Sequence, residues 1–528
     1  MNNKDMNPIF SLKNFRSFGE EGADFELAPI TVLTGCNSAG KSSLVKALML
    51  MSKQSAGDTG NINLFNTKEM QPNVKLRTSQ KELRLGGFNS VVNEHSKDGT
   101  LSISYKIWSN YLNEEVVCRR LFRANKKVIS EGSLVECSIE KNDGTIIHLV
   151  NDDFTLFKEI EKQYEVFSLN CKCIGLQEKI ELLNSKIERS KKSGEDADKY
   201  ESKLEEVKIY LENIKKSLGD DYSLDYDERI VNLWNNRKDF EMNGWERIWF
   251  DGLTAEEKAD EDKKLFYTLT VNEIVSPWFF DSLNYIDSST NEIKRIYNVE
   301  NSDKLSSLLY SLLERAGSKE IIVEGQFRST YKTGRFVNEW LKRFRIGDRL
   351  EIVGTDEDLG VKVYLVKNDS KRLLADEGYG ITQLISILLQ IEVNNSKFFN
   401  IDGHSEDEWL RHIICIEEPE VHLHPMYQSL LADLFVEAYQ KFNTRFIIET
   451  HSEYLIRKLQ VLVADKENAL VPNDISLNYV EKDENGVSTN RKIDILEDGG
   501  LSDTFGSGFY DEADALAMDL FRKKPILS

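Results

Sequence analysis

The stretch TGCNSAGKSS at residues 34–43 decides the fold of this chain, because it fits the phosphate-loop pattern G-x-x-x-x-G-K-[ST]. The apolar, β-branched residues 30–33 before it predict a buried strand, and residues 43–50 after it have helical spacing. Glycines let backbone N–H groups point at phosphate oxygens, and the positive end of the following helix faces the same anion. The strand–loop–helix context favours a true phosphate loop over a chance match.

This loop predicts a role for each of its residues. The residues expected to surround the phosphates are Gly35, Asn37, Ser38, Ala39, Gly40, Lys41, Ser42 and Ser43. Lys41 is expected to reach the β- and γ-phosphates, and the Ser42 hydroxyl is expected to hold Mg²⁺. The predicted cofactors are therefore ATP and Mg²⁺.

Length and composition limit the remaining possibilities. The 528 residues are enough for about three domains. The net charge of −21 argues against a protein that coats nucleic acid indiscriminately, although it leaves room for a local basic groove. The six cysteines show no C-x-x-C pair, which indicates a reducing cytoplasm. Neither a membrane span nor a secretory signal is expected from the apolar pattern.

Residues 1–151 are expected to form a first lobe that carries the phosphate loop and a β meander. Alternation of apolar and polar residues predicts strands at 10–15, 101–107, 116–122 and 133–139, with a turn at 142–144. Phe15, Arg16 or Phe18 could line the adenine, and the alternative is that both aromatic side chains belong to the core. The sequence does not decide between these two readings.

Residues 152–262 are expected to form a helical insertion rich in Glu and Lys. Apolar residues follow a spacing of four and three at Leu176, Ile180, Leu183, Ile187, Tyr200, Leu204, Val207, Leu211, Ile214 and Leu218. This pattern predicts a short antiparallel coiled-coil hairpin. The hairpin either projects from the body, which we favour, or packs on it.

Residues 263–528 return to mixed patterning and contain the one basic stretch of an acidic chain. Its positive residues are Arg328, Lys332, Arg335, Lys342, Arg343, Arg345 and Arg349. The stretch is either a solvated face that balances local acid or a contact for a phosphate backbone or a partner. The first reading is the commoner one.

Two later strands are predicted to complete the nucleotide site. Residues 412–416 form an apolar run that ends in Glu417 and Glu418. If this strand lies beside the phosphate-loop strand, Glu417 can order the Mg²⁺ ligands and Glu418 can polarise the attacking water as a general base. A third apolar run, residues 445–448, leads to His451, which can hydrogen-bond the γ-phosphate.

A second glycine-containing segment, DEGYGITQ at residues 376–383, precedes an apolar helix at 384–389. Glycines at a helix N-terminus form another possible anion site. Two such anion sites in one chain are difficult to place around a single nucleotide. The segment makes sense if Gly380 contacts the γ-phosphate that a second copy of the chain binds.

The motifs, in this order, resemble those of ABC-type ATPase heads of the RecF, SMC and Rad50 group, and more closely those of ATPases allied to the OLD family. They are FRSF at 15–18, GCNSAGKSS at 35–43, DEGYGITQ at 376–383, IEEPEVHLHP at 416–425 and ETHSE at 449–453. The resemblance implies an α/β head with a parallel-core sheet, an antiparallel β lobe and an inserted helical hairpin. It covers residues 1–125 and 265–490.

By this resemblance Glu417 is the Walker B acid, Glu418 the catalytic glutamate, His451 the switch histidine and Gly380 part of the signature. Two positions depart from the pattern. The signature usually has Ser where Tyr379 stands, and the loop after Walker B usually has an acid where His424 stands. Both departures put efficient hydrolysis between two copies in question.

OLD nucleases carry a metal-dependent nuclease domain after the ATPase, and the residues after His451 are expected to be too few for one. ATPases of this build are similar to the PtuA family of Septu and retron anti-phage systems, which works with a small HNH nuclease. The resemblance implies a homodimeric regulatory ATPase that gates this nuclease, in some systems with a reverse transcriptase and its RNA–DNA product. The alternatives are a DNA-binding repair ATPase of the RecF or Rad50 type and an ATP-binding scaffold with little turnover.

Overall fold

The computed structural model describes residues 6–52, 85–125, 127–148, 153–193, 198–218, 283–287, 294–298, 304–315, 320–323, 326–355, 360–396 and 412–506, with short pieces at 65–66, 71–72, 75–77, 274, 512, 516 and 518–519. Residues 219–262 of the predicted insertion lie outside this part of the chain. The described elements form three sheets, a small strand pair and eight α-helices.

A six-stranded sheet carries the phosphate loop. In spatial order its strands are β11 (Leu283–Ile286), β17 (Ile413–Glu417), β18 (Arg445–Glu449), β3 (Ile30–Gly35), β19 (Ile475–Lys482) and β20 (Ser488–Ile493). The first five strands are parallel, and β20 pairs antiparallel with β19. The sheet therefore joins strands from all three thirds of the chain.

Both faces of this core sheet are buried. Ile414 and Ile416 of β17 belong to one hydrophobic core, whereas Ile413 and Cys415 belong to the other. A strand buried on both faces has a continuous apolar run rather than alternation. This explains why the sequence shows unbroken apolar stretches before Glu417 and before residue 449.

The predicted position of the Walker B strand is wrong in one respect. We expected it beside the phosphate-loop strand, but β18 lies between β17 and β3 and pairs with both. The order of strands along a chain does not fix their order in a parallel sheet, because each crossover can skip a position. The carboxyl ends of all three strands nevertheless meet at one edge.

A second, antiparallel sheet forms the N-terminal lobe. Its strands are β10 (Ile146–His148), β9 (Glu131–Lys141), β8 (Glu114–Ala124), β7 (Thr100–Ser109), β1 (Ile9–Lys13) and β2 (Ala23–Glu26), with β6 (Lys75–Arg77) on β9. β4 (Phe65–Asn66) pairs with β5 (Gln71–Pro72). The predicted meander and its turn at 142–144 are present, with Gly144 at a φ of 81°.

A third, antiparallel sheet lies in the C-terminal half. Its strands are β12 (Glu320–Val323), β13 (Gln326–Lys332), β14 (Arg349–Gly354), β15 (Val361–Lys367) and β16 (Ser370–Leu373). The remaining helices are α1 (Lys41–Met51), α4 (Lys304–Arg315), α5 (Arg335–Arg343), α6 (Tyr379–Ser396), α7 (Pro425–Phe442) and α8 (Glu453–Ala464). Short 3-10 turns occur at Phe88–Ser90, Leu374–Asp376 and Pro472–Asp474.

The insertion contains two long helices, α2 (Asp153–Ser193) and α3 (Asp198–Leu218), that pack against each other. The predicted seam is buried at Leu183, Ile187, Val207, Leu211, Ile214 and Leu218. The first helix extends well before Leu176, where the predicted seam begins, and Phe167 and Cys171 of this earlier part pack into the core of the N-terminal lobe. Contacts with this lobe replace the heptad pattern there.

The predicted α/β architecture is therefore confirmed: a parallel-core sheet with helices, an antiparallel lobe and an inserted pair of helices. The coiled-coil character of that pair stays a prediction. No helix in the described ranges is both long and apolar enough to cross a membrane.

Candidate nucleotide site

The phosphate loop joins β3 to α1 through a backbone that only glycine allows at two positions. Gly35 has a φ of 132°, and a Cβ there would lie 2.0 Å from the carbonyl oxygen of Val480. Gly40 has a φ of 103°, and its Cβ would lie 2.5 Å from the Ser17 hydroxyl oxygen. Cys36, Asn37 and Ser38 are exposed at the tip of the loop.

Lys41 occupies the first position of α1 and folds back over the loop. Its Nζ donates hydrogen bonds to the carbonyl oxygens of Gly35 and Cys36, at 3.2 and 2.8 Å. Burial lowers the pKa of this ammonium, while Glu449 and Glu418 oppose the shift. The lysine thus lies between the loop and two carboxylates, where a polyphosphate would offer it better acceptors.

Ser42 and Ser43 follow Lys41 into the first turn of α1. The Ser42 hydroxyl donates to the carboxylate of Glu449, the last residue of β18. Ser43 is buried, and its hydroxyl oxygen lies 3.3 Å from Nη1 of Arg16. Glu449 was not among the residues predicted from the sequence, although its place at the end of an apolar strand was a usable signal.

Glu417 ends β17 next to Glu449, its partner in the register of these parallel strands. Burial raises the pKa of Glu417 to about 7, with further contributions from the charges of Glu449 and Asp287. Tyr285 donates a hydrogen bond to this carboxylate, and Lys46 lies close enough to act against the shift. One oxygen of Glu417 and one of Glu449 are buried without a hydrogen-bond partner.

Glu418 follows at once, in a conformation that non-glycine residues seldom adopt. Its φ is 47°, and its N–H donates to the carbonyl oxygen of Glu449 at 2.7 Å. Gln383 of α6 donates through Nε2 to the carbonyl oxygen of Glu418 at 3.1 Å. The turn directs consecutive glutamates differently, which agrees with separate roles for Glu417 and Glu418.

His451 lies just beyond the end of β18. Burial lowers the pKa of its imidazole, Lys41 lowers it further, and Glu418 opposes the shift. The backbone N–H of His451 donates to the carboxylate of Glu420 at 2.7 Å. Glu420, also missed in the sequence, thus ties the histidine loop to the loop that follows Glu418. The three predicted groups Lys41, Glu418 and His451 come together at one edge.

The signature segment packs on the loop after β17. A Cβ on Gly380 would lie 2.7 Å from the carbonyl oxygen of His422, and the rings of Tyr379 and His422 make an edge contact at 5.3 Å. His424, where an acid was expected, caps α7, since its Nδ1 accepts from the N–H of Met426. Within one chain, Gly380 touches this loop.

The residues proposed for the adenine have a mixed outcome. Phe15 and Phe18 are fully buried in the core of the N-terminal lobe, so of the two readings that the sequence left open the core reading holds for both rings. The same core would have to open to expose either ring. Arg16 between them points to the site instead, and the charges of Glu417 and Glu449 act on its guanidinium. Its φ of 52° is fixed by hydrogen bonds with Val91 and Asn93.

Three of the six basic residues of this stretch whose side chains the structure describes pair with local carboxylates. Arg335 pairs with Glu339 at 2.7 Å, and Arg343 pairs with Glu437 at 2.6 Å. Arg349 pairs with Glu351. The side chain of Arg328 lies outside the described residues. For these three arginines the ion pairs favour the solvated-face reading over a phosphate-binding surface.

The residues at the carboxyl edge of the core sheet fit ATP with Mg²⁺. The glycine loop and the start of α1 offer backbone N–H groups to phosphates. Mg²⁺ prefers hard oxygen donors and in nucleotide sites uses one or two carboxylates together with phosphate oxygens. The Ser42 hydroxyl and the two partnerless carboxylate oxygens of Glu417 and Glu449 supply such donors.

The fold and this edge define a phosphate-loop nucleotide-binding protein. Residues 9–456, from the first strand to the histidine loop and α8, match the family model of the AAA ATPase domain, AAA_15. The chain belongs to this ATPase family, whose members bind ATP and typically Mg²⁺. Residues 470–520, which include β19 and β20, match a family of unknown function, DUF3696. No curated protein sequence matches the chain.

Solved structures similar to this chain include SMC head domains. The Pyrococcus furiosus Smc head with an extended coiled coil, bound to the C-terminal domain of ScpA, is 15% identical and aligns over 98% of this chain and 100% of its own, with a TM-score of 0.35. The Thermotoga maritima SMC head is 11% identical, with coverages of 92% and 97% and a TM-score of 0.33. These scores are too low to carry an argument, so the family assignment depends on the AAA ATPase domain match.

Proposed function

We propose that this chain is the regulatory ATPase of an anti-phage defence complex and that its nucleotide state gates a partner nuclease of the HNH type. The observation that supports an ATPase cycle is the convergence of Lys41, Glu417, Glu418 and His451 at the carboxyl edge of one sheet. The defence role rests on the motif order that resembles the PtuA family. A reverse transcriptase with its RNA–DNA product belongs to this proposal as a further partner.

Each residue of the edge has a proposed task in hydrolysis. The backbone of residues 35–43 and Lys41 bind the triphosphate, and Ser42 and Glu417 hold the cation. When bound, Mg²⁺ neutralises charge on the phosphate oxygens. Glu418 takes a proton from the water that attacks the γ-phosphorus, and the bond to the β–γ bridging oxygen breaks to release ADP. His451, with its lowered pKa, is neutral at pH 7 and hydrogen-bonds the γ-phosphate.

Two copies of the chain are proposed to sandwich two nucleotides. Gly380 is buried against the loop of His422 in its own chain, while Gly378 has open space around it. Gln383 joins the same helix to the backbone of Glu418. A contact between α6 and the nucleotide of the second copy would therefore shift the backbone of Glu418. This link gives the dimer a way to transmit its nucleotide state to a nuclease.

The substitution Glu418→Gln tests the ATPase part. Phosphate release should fall by about 10²-fold or more, because the general base is lost, while ATP binding is retained. Lys41→Ala should lose ATP binding itself. Unchanged phosphate release in the Glu418 variant would instead support the scaffold alternative, in which ATP is bound but turned over little.

Co-expression with the genes beside it tests the defence part. A small HNH protein should co-purify with the chain. The pair should protect cells from phage, and the Lys41→Ala variant should lose this protection. Purification of the chain without any nuclease from its own gene cluster would contradict the gating role and leave the ATPase part standing.

A further inference from the structure

Glu449 is a carboxylate at the centre of the site to which neither the phosphate-loop pattern nor the motif order assigns a task. It ends β18, the strand between the phosphate-loop strand and the strand of Glu417. Its side chain is only 7% exposed. A glutamate almost never lies so deep in a protein without a partner for its charge.

The contacts of Glu449 are incomplete. The Ser42 hydroxyl donates to it, but Oε2 has no hydrogen-bond partner among the described residues. Lys41 does not close this gap, since its Nζ donates to the carbonyl oxygens of Gly35 and Cys36. Oε1 of Glu417 is also buried without a partner.

Strand geometry places the two glutamates side by side. Glu417 and Glu449 are register partners on adjacent parallel strands, so their Cα atoms lie about 4.8 Å apart and their side chains leave the same face. Two like charges this close repel each other. A divalent cation between them would remove the repulsion and satisfy both oxygens.

We propose that Glu449 is a second metal-facing carboxylate of the nucleotide site, which holds a divalent cation together with Ser42, Glu417 and the nucleotide phosphates. This inference rests on the proposed ATP site and deepens it. The described residues offer no cluster of three or more His, Cys, Asp or Glu side chains that could hold a metal alone. Phosphate oxygens must therefore complete the ligand set, and cation binding depends on the nucleotide.

The test measures Mn²⁺ binding by electron paramagnetic resonance in the presence of a non-hydrolysable ATP analogue. Glu449→Gln keeps the shape and loses the charge, so Mn²⁺ affinity should fall about 10-fold or more. Glu449→Asp keeps a carboxylate and should retain part of the Mn²⁺ affinity. Binding of a fluorescent ATP analogue in EDTA should be the same in the wild type and the Gln variant.

A matched control is Glu392→Gln. Glu392 is also 7% exposed, but its Oε1 accepts from Tyr331 and from the N–H of Gly334, at 2.6 Å each, away from the loop. This variant should bind Mn²⁺ as the wild type does.

Three outcomes separate the possibilities. Unchanged Mn²⁺ affinity in Glu449→Gln overturns this inference alone. So does loss of nucleotide binding in EDTA by both Glu449 variants, which would make the residue a structural part of the loop. A wild-type protein that binds no ATP analogue overturns the proposed ATP site and this inference with it.

Discussion

A buried glutamate, Glu351, and a partly buried one, Glu417, show the difference between a structural charge and a functional one. Glu351, in the third sheet, is 2% exposed. Its carboxylate accepts hydrogen bonds from Lys371 Nζ at 2.5 Å and from Arg349 Nε at 3.0 Å. Burial alone would raise its pKa, but these hydrogen bonds outweigh it and lower the pKa. Glu417, at the edge of the core sheet, has a pKa raised to about 7 and one oxygen without a partner.

The contrast shows where this fold leaves carboxylate oxygens without hydrogen-bond donors. In the third sheet and the helix beside it, each of Glu351, Arg343 and Arg335 has an opposite charge within hydrogen-bond distance. At the core-sheet edge, Glu417 and Glu449 face each other with free oxygens. A buried carboxylate oxygen without a hydrogen-bond donor lowers stability, so its presence indicates a ligand that completes the site.

The largest expected effect is on the pH dependence of stability without divalent cations. The pKa of Glu417 is raised from 4.5 in the unfolded chain to about 7, so the folded protein binds more protons between these values. Its stability therefore falls as pH rises through this range, by on the order of 3 kcal/mol from this group. Glu417→Gln should remove most of that slope in EDTA and should be more stable than the wild type at pH 8.

Chemical denaturation of both proteins in EDTA at pH 5 and pH 8 measures this effect. The phosphate-binding variant Lys41→Ala serves as a control, because it changes the site but keeps Glu417. Parallel pH profiles for the wild type and the Gln variant would show that burial does not hold Glu417 in its neutral form.

The matching change in the structural charge should act in the opposite direction. Glu351→Gln removes two hydrogen bonds from charged donors and should lower the free energy of unfolding by about 2 kcal/mol. Nucleotide binding should remain as in the wild type. A variant as stable as the wild type would contradict the structural role of Glu351, since its ion pairs would then contribute nothing to the free energy of unfolding.

The smallest effect is expected in the basic stretch. Arg343 pairs with Glu437 at 48% side-chain exposure and stacks on Trp340 at 4.5 Å, so Arg343→Ala should cost about 1 kcal/mol or less. Because this arginine is already paired, the variant should leave any duplex binding unchanged in a salt titration of a labelled DNA. A weaker, less salt-dependent DNA shift in the variant would favour the DNA-binding repair alternative.

Local pattern was enough to predict most of the fold. Residues 30–33, 101–107 and 445–448 have the apolar periodicity of the strands that contain them, and the phosphate loop fixed the start of α1. The order of β17, β18 and β3 was not predictable, since it depends on crossovers. The packing of α2 before Leu176 was not predicted, because its partners lie in another lobe.

The site was predicted only as far as motifs name its residues. Lys41, Glu418 and His451 lie close together, as their motifs indicate. Glu449 and Gln383 reach the site through contacts with other elements, which no motif describes. A glutamate at a strand end looks the same in sequence whether it is exposed or faces a second carboxylate. Phe15 and Phe18 show the converse, because aromatic residues beside a nucleotide motif turned out to be core.

The most direct test of the account is a crystal structure with Mn²⁺ and a non-hydrolysable ATP analogue, with the metal located by its anomalous signal. The account predicts the triphosphate on the backbone of residues 35–43 with Lys41 at its end, and the Mn²⁺ peak between Ser42 and Glu417. A nucleotide bound elsewhere, or a metal peak away from both of these side chains, would contradict it.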